Sequence, residues 1–162
     1  MKVLTLFSGT GSVSRALEHF PDSQEITLDW KEQADIMMDV MDFDYTMFQQ
    51  GEFDVIWSSP CCTNYSKART NAKIPRDLEG ADAMVLRTIE IIDYLQPKVW
   101  FMENPASGLL PRRNFMMLRP YAVCDYCEAM QSCGDNQVFI TSNYSIYIVL
   151  INNTNNNIKV NN

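Results

Sequence analysis

Four times in the first 105 residues a short apolar run stops abruptly at small, polar or ionisable residues. Residues 2–7 (KVLTLF) stop at SGTGS, residues 25–30 (EITLDW) end in an acid and an indole, residues 53–58 (FDVIWS) stop at SPCC, and residues 98–104 (KVWFMEN) end in Glu103 and Asn104. Short β-branched and apolar runs bounded in this way are predicted as buried strands. A weaker strand is predicted at residues 34–40 (ADIMMDV). Between them VSRALEHF reads as a helix, and residues 81–95 as a second, because Met84, Val85, Ile89, Ile92 and Leu95 recur at three-and-four spacing before Pro97 stops the run. Strands alternating with helices make an α/β fold with a parallel-type sheet and flanking helices. In such a sheet the groups at the carboxyl ends of the strands share one crevice.

At 162 residues the chain suits one compact domain. Its character changes near Tyr126. VFITSNYSIYIVL could supply two further strands around a Ser-Asn turn, and seven of the last twelve residues are Asn. The expected organisation is therefore a main domain over 1–126, strands of uncertain form over 127–150 and a disordered tail over 151–162. The longest apolar run is too short to span a membrane, and the N-terminus lacks the layout of a signal peptide. Five cysteines, two of them adjacent, make a poor disulfide framework. A soluble, intracellular monomer is the expectation.

Net charge is −7, which taken whole argues against a nucleic-acid partner. The distribution points the other way. Residues 1–58 hold three basic and eleven acidic side chains, whereas residues 59–120 hold nine basic and six acidic. Lys67, Arg69, Lys73 and Arg76 fall together with no intervening acid, directly after the paired cysteines. A cluster of that kind reads either as a solvated loop or as a phosphate-contacting one.

The chemistry sits at the strand ends. Gly9 and Gly11 allow close backbone approach to a nucleotide-like ligand, although Ser14 stands where a dinucleotide fingerprint has its third glycine. Asp29 could accept from ribose hydroxyls and Trp30 could stack on a base, or the indole could be an ordinary rim aromatic. Cys61 and Cys62 follow Pro60 beside the cationic loop, where positive charge would favour a thiolate. Glu103, at the next strand end, is either a general acid or a plain surface acid. Cys124, Cys127 and Cys133 begin like a zinc site, but the only histidine, His19, lies far off in the first helix.

LFSGTGS, SSPCCTNYS and FMENP, in this order and spacing, resemble the cofactor, nucleophile and glutamate motifs of the DNA cytosine-5 methyltransferases, particularly the small methylase-like proteins of phages and large DNA viruses. The family's nucleophile segment runs Gly-Pro-Pro-Cys-Gln-x-Phe-Ser. Counting back from Ser66 elects Cys62 and leaves Cys61 in place of the second proline. The resemblance covers roughly residues 3 to 120 and implies a Rossmann-like, S-adenosylmethionine-dependent methyltransferase fold. It further implies attack by Cys62 on C6 of a flipped cytosine in DNA, with Glu103 engaging N3 and methyl transfer to C5. Phe7, Ser8, Gly9, Thr10, Gly11 and Pro60 would line the cofactor, Asp29 would take its ribose, Trp30 its adenine face and Asp39 its adenine amino group. Ser66, Lys67, Arg69, Lys73, Arg76 and Asn104 would contact DNA, and no metal is implied.

Three departures keep alternatives in view. Thr63 stands where the family has Gln, Pro105 where Val is commonest, and no arginine occurs from Cys124 onward, where an arginine-rich motif is expected. That last feature, with no recognisable target-recognition domain, raises a truncated, inactive remnant. An amino-methyltransferase would use a Pro-Pro-Tyr segment at the same strand end, and SSPCC shares only the start of it. A cysteine-rich binding module is the reading from another class.

Overall fold

The apolar runs become the sheet. In the computed structural model, which describes residues 1–31, 33–67, 73–105, 107–117, 121–125 and 146–151 (the last two as strand backbone), β1 (Lys2–Leu6), β2 (Gln24–Asp29), β3 (Ile36–Met37), β4 (Val55–Ser58) and β5 (Val99–Pro105) run parallel. Their spatial order is β3-β2-β1-β4-β5. The chain thus turns outward from β1 in both directions, and the crevice of such a sheet opens at the carboxyl ends of β1 and β4.

The sheet is not parallel throughout. β6 (Tyr121–Asp125) and β7 (Ile146–Ile151) extend it, and β7 lies between β5 and β6, antiparallel to both. The sequence reading finds β7 within SIYIVL but assigns no strand to Tyr121–Asp125. β7 comes after residue 126, yet it pairs with β5, so one sheet draws on both sides of that position. Residues 138–141 of the other expected strand, and residues 152–162 of the expected tail, lie outside the described residues.

The third strand is shorter than expected because both its ends turn on carboxylates. Asp35 Oδ2 accepts from the Thr27 N–H at 2.9 Å and the Thr27 hydroxyl at 2.8 Å, and Asp39 Oδ1 accepts from the Met41 N–H at 2.9 Å. Only Ile36 and Met37 remain free to pair with β2.

Two helices connect the parallel strands, α1 (Ser12–Leu17) between β1 and β2 and α2 (Leu78–Leu95) between β4 and β5. α2 starts three residues before the expected boundary, because Asp77 caps it by accepting from the Gly80 N–H at 2.8 Å. It ends at Gln96, whose left-handed backbone (φ 48°) closes the helix before Pro97.

The two halves of α2 bury against different partners. Ile91, Ile92 and Leu95 join Leu4, Leu6, Leu28 and Ile56 of the sheet, while Ala81, Val85 and Ile89 join Tyr65, Met102, Leu110 and Met116. Burial of each large side chain contributes about 1.5–3 kcal/mol. The acidic segment between β3 and β4 is also part of the core: Phe43 and Phe53 are fully buried, and Phe48 meets Phe53 edge-on at 5.0 Å. Among the described residues no helix is long and apolar enough to cross a membrane.

Candidate functional site

Strand register carries four distant sequence positions to one line. Leu28, Leu6, Ser58 and Met102 are paired across β2, β1, β4 and β5, so Asp29, Phe7, Ser59 and Glu103 follow one residue later along the carboxyl edge. The site divides there into a β1/β2 half and a β4/β5 half.

The β1/β2 half is a turn of unusual backbone. Phe7, Gly9 and Gly11 have φ of 60°, 54° and 71°, and the turn is tied by the Ser8 N–H to the Leu28 carbonyl at 3.2 Å and by the Gly11 N–H to the Ser8 carbonyl at 2.9 Å. A Cβ at Gly9 or Gly11 would meet nothing closer than 3.7 Å, so glycine is required there by backbone conformation and not by space. Phe7 takes up the same region at a steric cost, as a bulky residue in a positive-φ conformation does, with its ring packed against the core. Asp29 is 7% exposed and braces the turn, accepting from the Gly9 N–H at 2.9 Å and the Lys31 N–H at 3.1 Å.

An open cleft beside this turn is lined by Ser8, Gly9, Gly11, Asp29, Lys31 and Ala34, among others. Trp30, next in the chain, presents its indole 76% exposed. Thr10 is exposed, and its carbonyl accepts from Arg15 at 2.7 Å. Asp39 is exposed at the turn after β3. A bracing carboxylate, a glycine backbone without side chains to fill the cleft and a bare aromatic face suit a ligand that carries hydroxyls and a planar base.

On the β4/β5 half the strand ends are bound to each other. Asn104 is 1% exposed, and its Nδ2 donates to the Pro60 carbonyl at 2.9 Å, while its Oδ1 is buried with no hydrogen-bond partner among the described residues. Beyond Pro60, Cys61 is exposed and its thiol donates to the Thr63 hydroxyl at 3.2 Å, whereas Cys62 is half-buried. The Cys62 carbonyl accepts from the Tyr65 N–H at 3.0 Å and the Ser66 N–H at 2.9 Å, which shapes residues 62–66 into a tight turn.

Burial raises the Cys62 thiol above its ordinary pKa, and Cys61 and Glu103 add to the effect. This corrects the expectation that neighbouring cations favour a thiolate. Burial also raises Glu103, partly offset by a hydrogen bond with Ser59, whose oxygen accepts from Trp57 Nε1 at 3.0 Å. A carboxyl so placed keeps a proton to higher pH than a surface glutamate.

The cations expected on DNA are placed unevenly. Lys67 and Lys73 are exposed at the two sides of residues 68–72, and Arg69 lies outside the described residues. Arg76 faces inward, its Nη1 donating to the Asn64 and Ser66 carbonyls, each at 2.8 Å. Arg76 and Asn104, both expected on DNA, are each hydrogen-bonded to the backbone around Cys62. Ser66 is half-buried in the same turn.

Beneath that turn lies a polar cluster that the sequence reading misses. The Tyr65 hydroxyl donates to Asp82 Oδ1 at 2.8 Å, and Arg113 Nε lies 2.9 Å from both oxygens of Asp82, with Nη2 adding a further bond to Oδ2. Burial first, and then the Asp82 carboxylate, raise the Tyr65 hydroxyl above its ordinary range, and the same carboxylate raises the Arg113 guanidinium above its own. A signal was present: Asp82 falls three and seven residues before Val85 and Ile89, on the apolar stripe, where an acid needs a partner. Among the described residues no group of three or more His, Cys, Asp or Glu side chains could hold a metal. Cys124 is described only as β6 backbone, and Cys127 and Cys133 lie outside the described residues.

Comparison with known proteins follows the same outline. Residues 1–152 match the family model for C-5 cytosine-specific DNA methylases. Frog virus 3 has a relative, described as a probable DNA (cytosine-5)-methyltransferase, that is 38% identical over 138 residues, covering 78% of this chain and 63% of the viral protein. The solved Entamoeba histolytica methyltransferase EhMeth superposes with a TM-score of 0.63 at 15% identity, over 93% of this chain and 52% of that one, a likeness of fold. This chain thus spans less than two thirds of either relative's length.

Proposed function

From the premise that the chain belongs to the C-5 cytosine-specific DNA methylases, we propose that it transfers a methyl group from S-adenosylmethionine to C5 of a cytosine in DNA, with Cys62 as nucleophile and Glu103 as acid. The observation that carries this reading is the meeting of a half-buried thiol and a proton-retaining carboxyl at the ends of adjacent parallel strands. Glu103 bears on the surroundings of Cys62, and both lie along one sheet edge from the glycine turn.

Cys62 releases its thiol proton to solvent and its sulfur adds to C6 of an extruded cytosine, forming an S–C bond and moving the C5–C6 electron pair onto the ring. Glu103 delivers its proton to N3, so the ring becomes an enamine with carbanion character at C5, where the new bond to the methyl group forms. S-adenosylmethionine supplies an electrophilic methyl group. Loss of the C5 proton to solvent then expels Cys62 as thiolate and restores the double bond, Glu103 recovers its proton from N3, and the thiolate regains its own from solvent.

Residues of the β1/β2 half would hold the cofactor. Ser8, Gly9, Thr10 and Gly11 present backbone beside the cleft, with Phe7 fixing the turn behind them. Asp29 has acceptor capacity left for ribose hydroxyls after its two N–H bonds. Trp30 stacks on the adenine, Asp39 accepts from the adenine amino group and Pro60, at the end of β4, contributes to the cofactor site. Lys67, Lys73, Arg69 and Ser66 meet the phosphate backbone, and the protein acts as a monomer. Adjacent thiols that must stay reduced place its work in a reducing, intracellular compartment.

The test is methyl transfer from labelled S-adenosylmethionine to duplex DNA, with nucleoside analysis of the product. Cys62→Ala is expected to lower turnover by about 10³-fold or more while leaving cofactor affinity unchanged. Full activity in that variant overturns the assignment, and methyl found on an exocyclic nitrogen moves the protein to the amino-methyltransferases.

A further inference from the structure

The geometry points to Arg76 as a positioning residue that shapes the Cys62 turn from the start of α2, through the carbonyls of Asn64 and Ser66. The inference rests on the reading of Cys62 as nucleophile. A guanidinium in a basic loop beside a DNA-facing thiol has an obvious alternative use, as a phosphate contact, and the two uses make different demands on its nitrogens.

One nitrogen, Nη1, lies 2.8 Å from the Asn64 carbonyl and 2.8 Å from the Ser66 carbonyl. Two carbonyl dipoles aimed at one point repel each other unless a positive group occupies it, and hydrogen bonds from a charged donor are roughly twice as strong as neutral ones. Those carbonyls flank Tyr65, in a turn already closed by the Tyr65 and Ser66 N–H groups on the Cys62 carbonyl. Ser66 is thus held at its N–H by Cys62 and at its carbonyl by Arg76. The next residue reinforces the link, since the Asp77 N–H donates to Asn64 Oδ1 at 3.3 Å.

The clamp is grounded in the core. Asp77 caps α2, and Ala81, Val85 and Ile89 in the following turns are buried with Tyr65 and Met102. A displacement of residues 62–66 relative to β5 would carry the Cys62 sulfur away from the position set against Glu103. Misplacement by about 1 Å can cost about 10²-fold in rate.

The experiment compares Arg76→Ala and Arg76→Lys in a Cys61→Ser background, so that Cys62 is the thiol under study at this strand end. Two readouts are taken: the rate at which iodoacetamide alkylates Cys62 in the protein alone, followed by peptide mass analysis, and kcat with KM for DNA across a salt series. Arg76→Ala is expected to lower kcat by about 10²-fold, to leave the DNA KM and its salt slope in place, and to speed Cys62 alkylation by about 3-fold or more as the turn opens. Lysine should recover part of both, because both bonds come from a single nitrogen and an ammonium has three donors.

An unchanged kcat with a raised KM, and a salt slope reduced by about 1, would make Arg76 a phosphate contact and overturn the inference. If the parent protein transfers no methyl group, the functional reading fails and the alkylation rates still decide the positioning role: equal rates in parent and Arg76→Ala refute it. Should the alanine variant lose its fold, Arg76→Gln bears the same two readouts.

Discussion

The two halves of the carboxyl edge are made by different means. At the β1/β2 half the shape lies in the backbone: three left-handed residues, Phe7, Gly9 and Gly11, and a carboxylate, Asp29, whose hydrogen bonds go to main-chain N–H groups. At the β4/β5 half the shape lies in side chains from remote segments, with Asn104 on Pro60, Arg76 on Asn64 and Ser66, and Asp82 with Arg113 under Tyr65. A backbone-built site tolerates a passive role, since it need only hold its shape beside a ligand. A site that must aim a sulfur at one ring carbon needs cross-links in three dimensions, and the remote tethers supply them.

If the halves are separable, substitutions in one should leave the other's measurement alone. The largest effect of this kind is expected from Glu103→Gln, which should lower turnover by about 10²-fold with cofactor affinity unchanged. It also has a stability signature. Burial raises the folded-state pKa of Glu103, so its contribution is complete below the unfolded value and is lost as pH rises through the folded one. Denaturation midpoints should therefore favour Glu103→Gln over the parent at neutral pH, with the gap closing on acidification; a gap that widens instead would mean that the carboxylate is stabilised by a partner.

Arg113→Ala comes next. It leaves Asp82 with the Tyr65 hydroxyl but without a cation, and a loss of about 1–3 kcal/mol is expected by urea unfolding, below the range for a fully buried pair because Arg113 is a third exposed. Cofactor titration should be unmoved. A change in cofactor affinity would break the separation, since it would show α2 transmitting strain across the sheet. In the other direction, Trp30→Ala should weaken S-adenosylmethionine about 10-fold by calorimetry and leave the alkylation rate of Cys62 as it was.

The smallest effect is predicted for Cys61→Pro, which restores the family's residue beside the nucleophile. Turnover within about 2-fold of the parent is expected, since Cys61 is exposed and its thiol bonds only Thr63 among the described contacts. A dead protein would reassign the nucleophile to Cys61.

This difference in construction also explains what could be read from the amino acids. Strand ends and the glycine turn were legible because each is a local pattern: an apolar run followed by a breaker, or two glycines at fixed spacing. α2 was legible from its stripe, apart from the first turn, where the capping carboxylate of Asp77 extends it to Leu78. The tethers were not legible, because nothing local in residue 76, 82, 104 or 113 announces which backbone it will meet. Phe43 and Phe48 were hidden for a related reason: the acids around them mask two aromatics whose five-residue spacing follows neither a helical nor a strand period. β6 escaped because a five-residue strand at a sheet edge depends on β7 for its register, and that partner comes more than twenty residues later.

The placement of β7 has a consequence for the order in which the molecule can be made. Glu103 and Asn104 pair on one side with Val149 and Ile148 of β7. During synthesis, at about 5–20 residues per second, β5 waits a few seconds with that edge open while the intervening chain emerges. The strand bearing the acid is thus the last of the parallel five to gain both neighbours. A nascent chain halted short of residue 146 would display an unpaired strand edge along Glu103 and Asn104, an invitation to wrong partners that the finished sheet removes.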